Sequence, residues 1–116
     1  MSPPAGGYTQ RVVLLSPAKT PDPVTREPSL TWTAVGEVWA AVAPLAGRRV
    51  ESARQLYESA TVEVRIRYRP DLIPTPGWSV YHAGRRYEIG AVLDPDMSHV
   101  ELRLVCGPGK PYSIGD

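Results

Sequence analysis

Apolar and polar side chains alternate without a break from Thr61 to Arg69. Val62, Val64, Ile66 and Tyr68 fall on one face, and Thr61, Glu63, Arg65, Arg67 and Arg69 on the other. Side chains of a strand point alternately to opposite faces, whereas a helix would smear the same residues around its circumference. The stretch therefore predicts a half-buried strand with an outer face rich in guanidinium. Strand-like runs recur on both sides of it, at Gln10–Leu15, Gly36–Ala43, Trp78–His82, Arg86–Leu93 and His99–Cys106. Ala83-Gly84-Arg85, with glycine at its middle, joins two of them and is a hairpin signal. The period changes once. Between Gly47 and Ser59, Val50, Ala53, Leu56 and Tyr57 recur at helical spacing, with Arg48, Arg49, Glu51, Arg54, Gln55 and Glu58 on the other side. That is a short amphipathic helix lying on a sheet or barrel mouth. About six strands and one helix, mainly β, close most easily as a small antiparallel barrel or sandwich.

The connections are long and rich in proline. Ser16–Leu30 holds Pro17, Pro21, Pro23 and Pro28, which excludes a helix interior or a central strand and predicts a loop. Pro70–Gly77 is a second proline-punctuated loop, and Asp94–Met97 a turn. Residues 1–7 read as a flexible arm and 107–116 as a flexible tail, leaving one domain over 8–106. Thirteen prolines, ten glycines and no phenylalanine agree with a chain cut into short strands and turns. At 116 residues, one core suffices without a disulfide or structural metal. Trp39 reads as a large buried surface whose indole N–H needs an acceptor.

Charge narrows the function. The formal net charge is +1, yet residues 48–69 hold six arginines against three glutamates, while 70–116 are net acidic. Such a split suits subunits meeting head to tail as well as nucleic acid. Tyr68 lies on the opposite face from Arg65, Arg67 and Arg69, so it does not interleave with them, which weakens a base-stacking reading. Asp94 and Asp96 are explained by turn chemistry. The single Cys106 ends an apolar alternation as a small buried residue, and with His82 and His99 it lacks zinc-type spacing. No phosphate loop is present, and no cofactor is implied. No apolar run reaches the length of a membrane span and no signal pattern opens the chain, so a soluble, non-enzymatic protein is expected.

The order of features resembles the head–tail joining proteins of long-tailed phages, also called head-closure or stopper proteins. The residues that carry the resemblance are Gln10-Arg11, Val38–Val42 followed by Pro44–Gly47, a helix, and Val64–Arg69, then Val80–Ile89 and Val100–Cys106. The proline-rich 17–28 stretch departs from the compact pattern. The resemblance implies a small β-barrel in a homo-oligomeric ring, made in the host cytoplasm and built into the virion. Its partners would be a portal or adaptor protein on the head side and a tail or tail-terminator protein on the other, with DNA as transient channel contents. Trp39, Arg48, Arg49 and Arg54 are the candidate residues for contacts with neighbours, and Arg65, Arg67 and Arg69 for facing the channel. A tail-completion protein of the same connector, or a nucleic-acid-binding barrel, are the alternatives.

The strand reading has a direct test. Ile66→Ala should cost about 2–5 kcal/mol through cavity formation. Arg65→Ala beside it should cost less than about 1 kcal/mol. Equal losses in urea unfolding would mean that the faces of the strand are reversed.

Overall fold

The computed structural model describes residues 8–21, 28–94, 97 and 100–112, with side chains for all of these except 19–21 and 28–30. The predicted arm at 1–7 and the last four residues lie outside the described residues. Among the described residues seven strands are formed: β1 (Gln10–Pro21), β2 (Pro28–Pro44), β3 (Val62–Arg67), β4 (Ser79–His82), β5 (Arg85–Leu93), β6 (Glu101–Cys106) and the two-residue β7 (Lys110–Pro111). One helix, α1 (Arg48–Leu56), connects β2 to β3. The strand order is β4-β1-β2-β3-β6-β5, and β4 also pairs with β5. Six antiparallel strands thus close into a barrel. The β4–β5 turn is Ala83-Gly84, with φ of 51° and 79°, and His82 pairs with Arg85 across it. Two successive positive φ values match the right-handed twist of the flanking strands, so the turn favours the hairpin.

The interior follows the alternation. Val64 and Ile66 of β3 are buried with Val12, Leu14, Ala40, Val80, Ile89, Leu102, Leu104 and Cys106, and Val62 and Tyr68 pack against this cluster. Cys106 is fully buried, as its sequence context predicted. Burial pushes its thiol up to about 12, so it is held protonated.

The reading of Ser16–Leu30 as a loop is corrected. β1 and β2 pair from Gln10↔Ala40 out to Pro21↔Pro28. β1 meets β4 only over Val13–Leu15, and β2 meets β3 only from Ala40 onward. Beyond these contacts the two strands continue as a two-stranded ribbon. Proline is compatible with it for a geometric reason. Pro17 pairs with Trp32 and Pro21 with Pro28, four residues apart on the same edge. A hydrogen-bonded antiparallel pair exchanges two bonds, which proline cannot do; the prolines therefore occupy the alternate positions, whose amides face away from the partner strand. The register shifts between Leu14 and Leu15, where the ribbon leaves the barrel. Opposite this shift, Gly36 leaves room for Leu72, whose Cδ2 lies 2.5 Å from where a Cβ would stand.

α1 covers the outer face of the barrel at β5 and β6. Ala53 and Ala60 bury against Val105, with Leu45, Tyr57, Ala91 and Leu93 around them. Glu63, predicted on a solvated face, is consequently only 8% exposed. Leu56, predicted on the apolar face of the helix, is 54% exposed. The helix ends there, and Tyr57 takes the packing position instead. The ring of Tyr57 lies over Gly90, at a register shift of β5, with its Cγ 2.0 Å from an added Cβ. Gly90→Ala should therefore displace Tyr57 and cost about 1–3 kcal/mol as an overpacked site. Thermal unfolding measures it, and a loss below about 0.5 kcal/mol would show that Tyr57 moves freely.

Candidate interaction surfaces

The arginines of β3 lie in a cross-strand lattice with acidic residues of the same sheet. Arg67 is opposite Glu101, Arg65 opposite Arg103, and Glu63 opposite Val105. Neighbours this close on one face interact directly, so opposite charges there are mutually stabilising. Glu101 is the hub. Arg65 reaches its Oε2 at 3.4 Å, Arg103 its Oε1 at 3.5 Å, and Tyr8 donates its hydroxyl to Oε2 at 2.5 Å. Burial and the carboxylate raise the Tyr8 hydroxyl above its usual range, so it stays a donor. Arg69 binds Asp71 with two parallel bonds, Nε–Oδ1 at 3.2 Å and Nη2–Oδ2 at 2.8 Å. This fork holds the Asp71 carboxyl below the usual carboxylate range. Arg67 is exposed and forms no ion pair among the described residues.

Trp39 is not a core residue. Its strand neighbour Ala40 faces inward and is fully buried, so Trp39 lies on the outer face, half-buried, with the Arg11 guanidinium 5.2 Å from its ring centroid. Arg11 is paired in turn with Glu37. A cleft of about 190 Å³ opens here, lined by Tyr8, Glu37, Val38, Trp39, Arg67 and Arg69. The aromatic partner that Tyr68 does not provide to the arginines thus comes from β2 and from the segment before β1. Sequence alternation within one strand does not show which side chains become neighbours across strands, so Tyr8 and Trp39 were not legible as partners of Arg67.

The three helix arginines separate. Arg49 Nη2 meets the buried Glu63 Oε1 at 2.5 Å, and Arg54 donates from Nε to the Ala60 carbonyl at 3.3 Å. Arg48 is exposed, on the rim of a groove of about 240 Å³ between α1 and the barrel, floored by Leu45, Ala53, Leu93 and Val105.

A further cluster escaped the sequence reading. The Arg86 guanidinium lies 4.4 Å from the centroid of Trp32 and 5.9 Å from that of Tyr112, and donates to Ser79 Oγ at 2.9 Å. Tyr112 meets Tyr81 edge-on at 6.2 Å. Stacking of this kind joins the base of the ribbon, the β4–β5 hairpin and the segment after β7. Gly107–Tyr112, read as part of a flexible tail, is held here by the β5–β7 pair and by Tyr112 N–H on the Gly84 carbonyl. Trp32 stood inside or beside proline-rich sequence, which hid its partner. Among the described residues no group of His, Cys, Asp or Glu is arranged to hold a metal ion, and no helix is long and apolar enough to cross a membrane.

The described residues thus form a closed six-stranded barrel with one external helix, a projecting ribbon and a surface of arginine–carboxylate pairs. The profile of the phage head completion protein family matches residues 3–109. The chain therefore belongs to that family. It is a structural family of the phage head–tail region, so the chain is a component of the virion. The solution structure of protein SF1141 from Shigella flexneri 2a superposes with a TM-score of 0.70 at 25% identity, covering 93% of this chain and 98% of that one. A chain from the virion of the native gene transfer agent particle superposes with a TM-score of 0.60 at 23% identity, covering 90% and 96%; this likeness concerns the fold. No curated protein matches the chain at a significant level.

The Arg49–Glu63 pair yields a prediction. Arg49→Ala leaves a buried carboxylate without its guanidinium and should cost about 1–3 kcal/mol. Arg48→Ala removes no such partner and should stay within about 0.5 kcal/mol of the parent. Chemical denaturation of both variants checks the difference; equal effects would show that Glu63 does not depend on Arg49.

Proposed function

We propose that the chain is a ring subunit between the portal or adaptor complex and the tail, closing the DNA channel after packaging and docking the tail. The observation that carries this reading is the ribbon. A closed barrel has no strand edges of its own to offer, yet β1 and β2 run past it, and the base of their extension is clamped by Arg86 between Trp32 and Tyr112. An element fixed at its root and unaccompanied by other strands is suited to reach a neighbouring protein. Arg48, Arg49, Arg54 and Trp39 are then contacts to neighbours, and Arg65, Arg67 and Arg69 face the channel. The portal or adaptor protein lies on the head side, and the tail or tail-terminator protein on the other.

A nucleic-acid-binding barrel has Tyr8 and Trp39 beside arginines in its favour. Glu37, Asp71 and Glu101 stand among those arginines, however, and would repel a phosphate backbone. DNA passing a channel also has to slide, and contacts limited to phosphate are sequence-independent and weaken with salt. Isolated subunits should therefore bind DNA poorly at about 0.15 M salt, where exposed charges beyond about 8 Å are screened. Arg48→Glu should leave thermal stability unchanged and give DNA-filled heads that leak or fail to take tails. Arg48 is the better choice for this test than Arg49, whose reversal also strips Glu63 of its partner. Sub-micromolar, sequence-selective DNA binding by the free chain, measured by fluorescence titration, would overturn the ring reading.

A further inference from the structure

The groove of about 240 Å³ between α1 and the barrel combines an apolar floor with a basic rim. Leu45 follows β2, Ala53 belongs to α1, Leu93 to β5 and Val105 to β6, so four parts of the chain meet in the floor. Its walls are tied down. Leu45 N–H donates to the Thr61 carbonyl at 2.9 Å, and Arg54 Nε holds the Ala60 carbonyl beyond the helix end. Leu56 also lines the groove and is 54% exposed, which extends the apolar surface outward. An apolar cavity of about 150 Å³ holds a benzene ring, so this groove has room for a Leu, Met or Phe side chain. The polar lining consists mostly of donors. Arg48, Arg49, Arg103 and Ser52 stand against a single carboxylate, Glu63, which is buried and already held by Arg49 Nη2. Arg48 forms no ion pair among the described residues. Arg103 Nε is buried and makes no hydrogen bond, with the Glu101 carboxylate 3.5 Å away.

We infer that this groove receives a segment of a different virion protein, one in which a bulky apolar side chain stands near an aspartate or glutamate in sequence. The inference rests on the reading of Arg48 and Arg49 as contacts to neighbours and states the chemistry of the neighbour. The apolar side chain fills the floor and covers Leu56, while the carboxylate pairs with Arg48 at the rim. Burial of the anchor supplies affinity, and the charge pair fixes orientation and rejects wrong partners. A guanidinium suits this task because it binds a carboxylate through two parallel bonds. A second copy of this chain is the poorer occupant. Among the described residues, its exposed apolar side chains stand near carboxylates that are already engaged. Ile73 follows Asp71, which Arg69 holds, and Val35 precedes Glu37, which Arg11 holds. Val100 adjoins Glu101, shared by Arg65 and Arg103, and Met97 is near Asp94, which also has a partner.

The test is photocrosslinking in assembled particles. A benzophenone side chain, p-benzoylphenylalanine, replaces Ser52, an exposed residue of the groove lining. Mass spectrometry after irradiation locates the segment attached to it. The expected product joins this position to another virion protein, at a segment with a bulky apolar residue near an aspartate or glutamate. A synthetic peptide of that segment should bind the free chain. Arg48→Glu, or amidation of the peptide's acidic side chain, should each weaken binding at least tenfold, while Arg67→Ala at the Trp39 cleft should leave it unchanged. Binding that Arg48→Glu does not weaken overturns the inference. Electron microscopy separates this inference from the ring reading. Rings without a crosslink, or with one to a second copy or to a segment lacking a carboxylate, overturn the inference and leave the ring reading standing; absence of rings from wild-type particles removes both. Should the benzophenone block assembly, Leu56→Glu and Leu56→Met decide. Leu56→Glu should lower tail-bearing particles at least tenfold without changing the melting temperature, and Leu56→Met should retain at least half the parent yield. Unchanged yield with Leu56→Glu overturns the inference.

Discussion

The closure of β4 onto β5 is the constraint on which the rest of the structure depends. It joins the two ends of the strand order, so that each barrel strand has a partner on either side within the barrel. A closed sheet has no edge to template further pairing. Apart from the two-residue β7 beside β5, the edges among the described residues belong to the ribbon of β1 and β2, which carries Pro17 and Pro21 at positions whose amides face outward. The pairing is set by a short turn in which both central residues have positive φ, and it brings Arg86 to the place where Trp32 and Tyr112 stack on it. Closure of the barrel and anchoring of the ribbon are therefore a single structural event.

Electrostatics on the outer surface follows from the same register. Arg65 and the helix residue Arg49 each meet a carboxylate on a strand, and Arg69 one in the loop that follows it, so a basic stretch of sequence becomes a surface of mixed sign. The exposed pair Arg69–Asp71 contributes little stability by itself, whereas Arg49 holds the buried Glu63 carboxylate. Together these pairs leave a small number of uncommitted groups in defined places. Arg48 on the helix rim and Arg67 beside Trp39 are two such groups. Membership of the phage head completion family makes these groups part of the surface of a structural virion protein.

The strand boundaries near Thr61–Arg69, the helix after Gly47, the β4–β5 hairpin and the burial of Cys106 were all legible in the sequence. Each rests on local information: a period of two, a period near 3.6, a turn signal, and an apolar alternation. The ribbon was not legible, because proline density reads as a loop unless the register that puts each proline at an outward-facing position is known. Trp39 misled for a related reason. Its size argues for the core, but in a strand the parity set by Ala40, not the size of the side chain, decides which face it takes.

The sequence alone thus determined that the chain is β-rich, a small barrel or sandwich with one amphipathic helix and an arginine-bearing strand face, because periodicity is written residue by residue. Only the tertiary structure decided which charges remain unpaired, that Tyr8 and Trp39 stand beside Arg67, and that Trp32 is locked by Arg86 and Tyr112. These relations join residues far apart in the chain, and their physical basis is the strand order and register of a closed barrel, which no local pattern encodes.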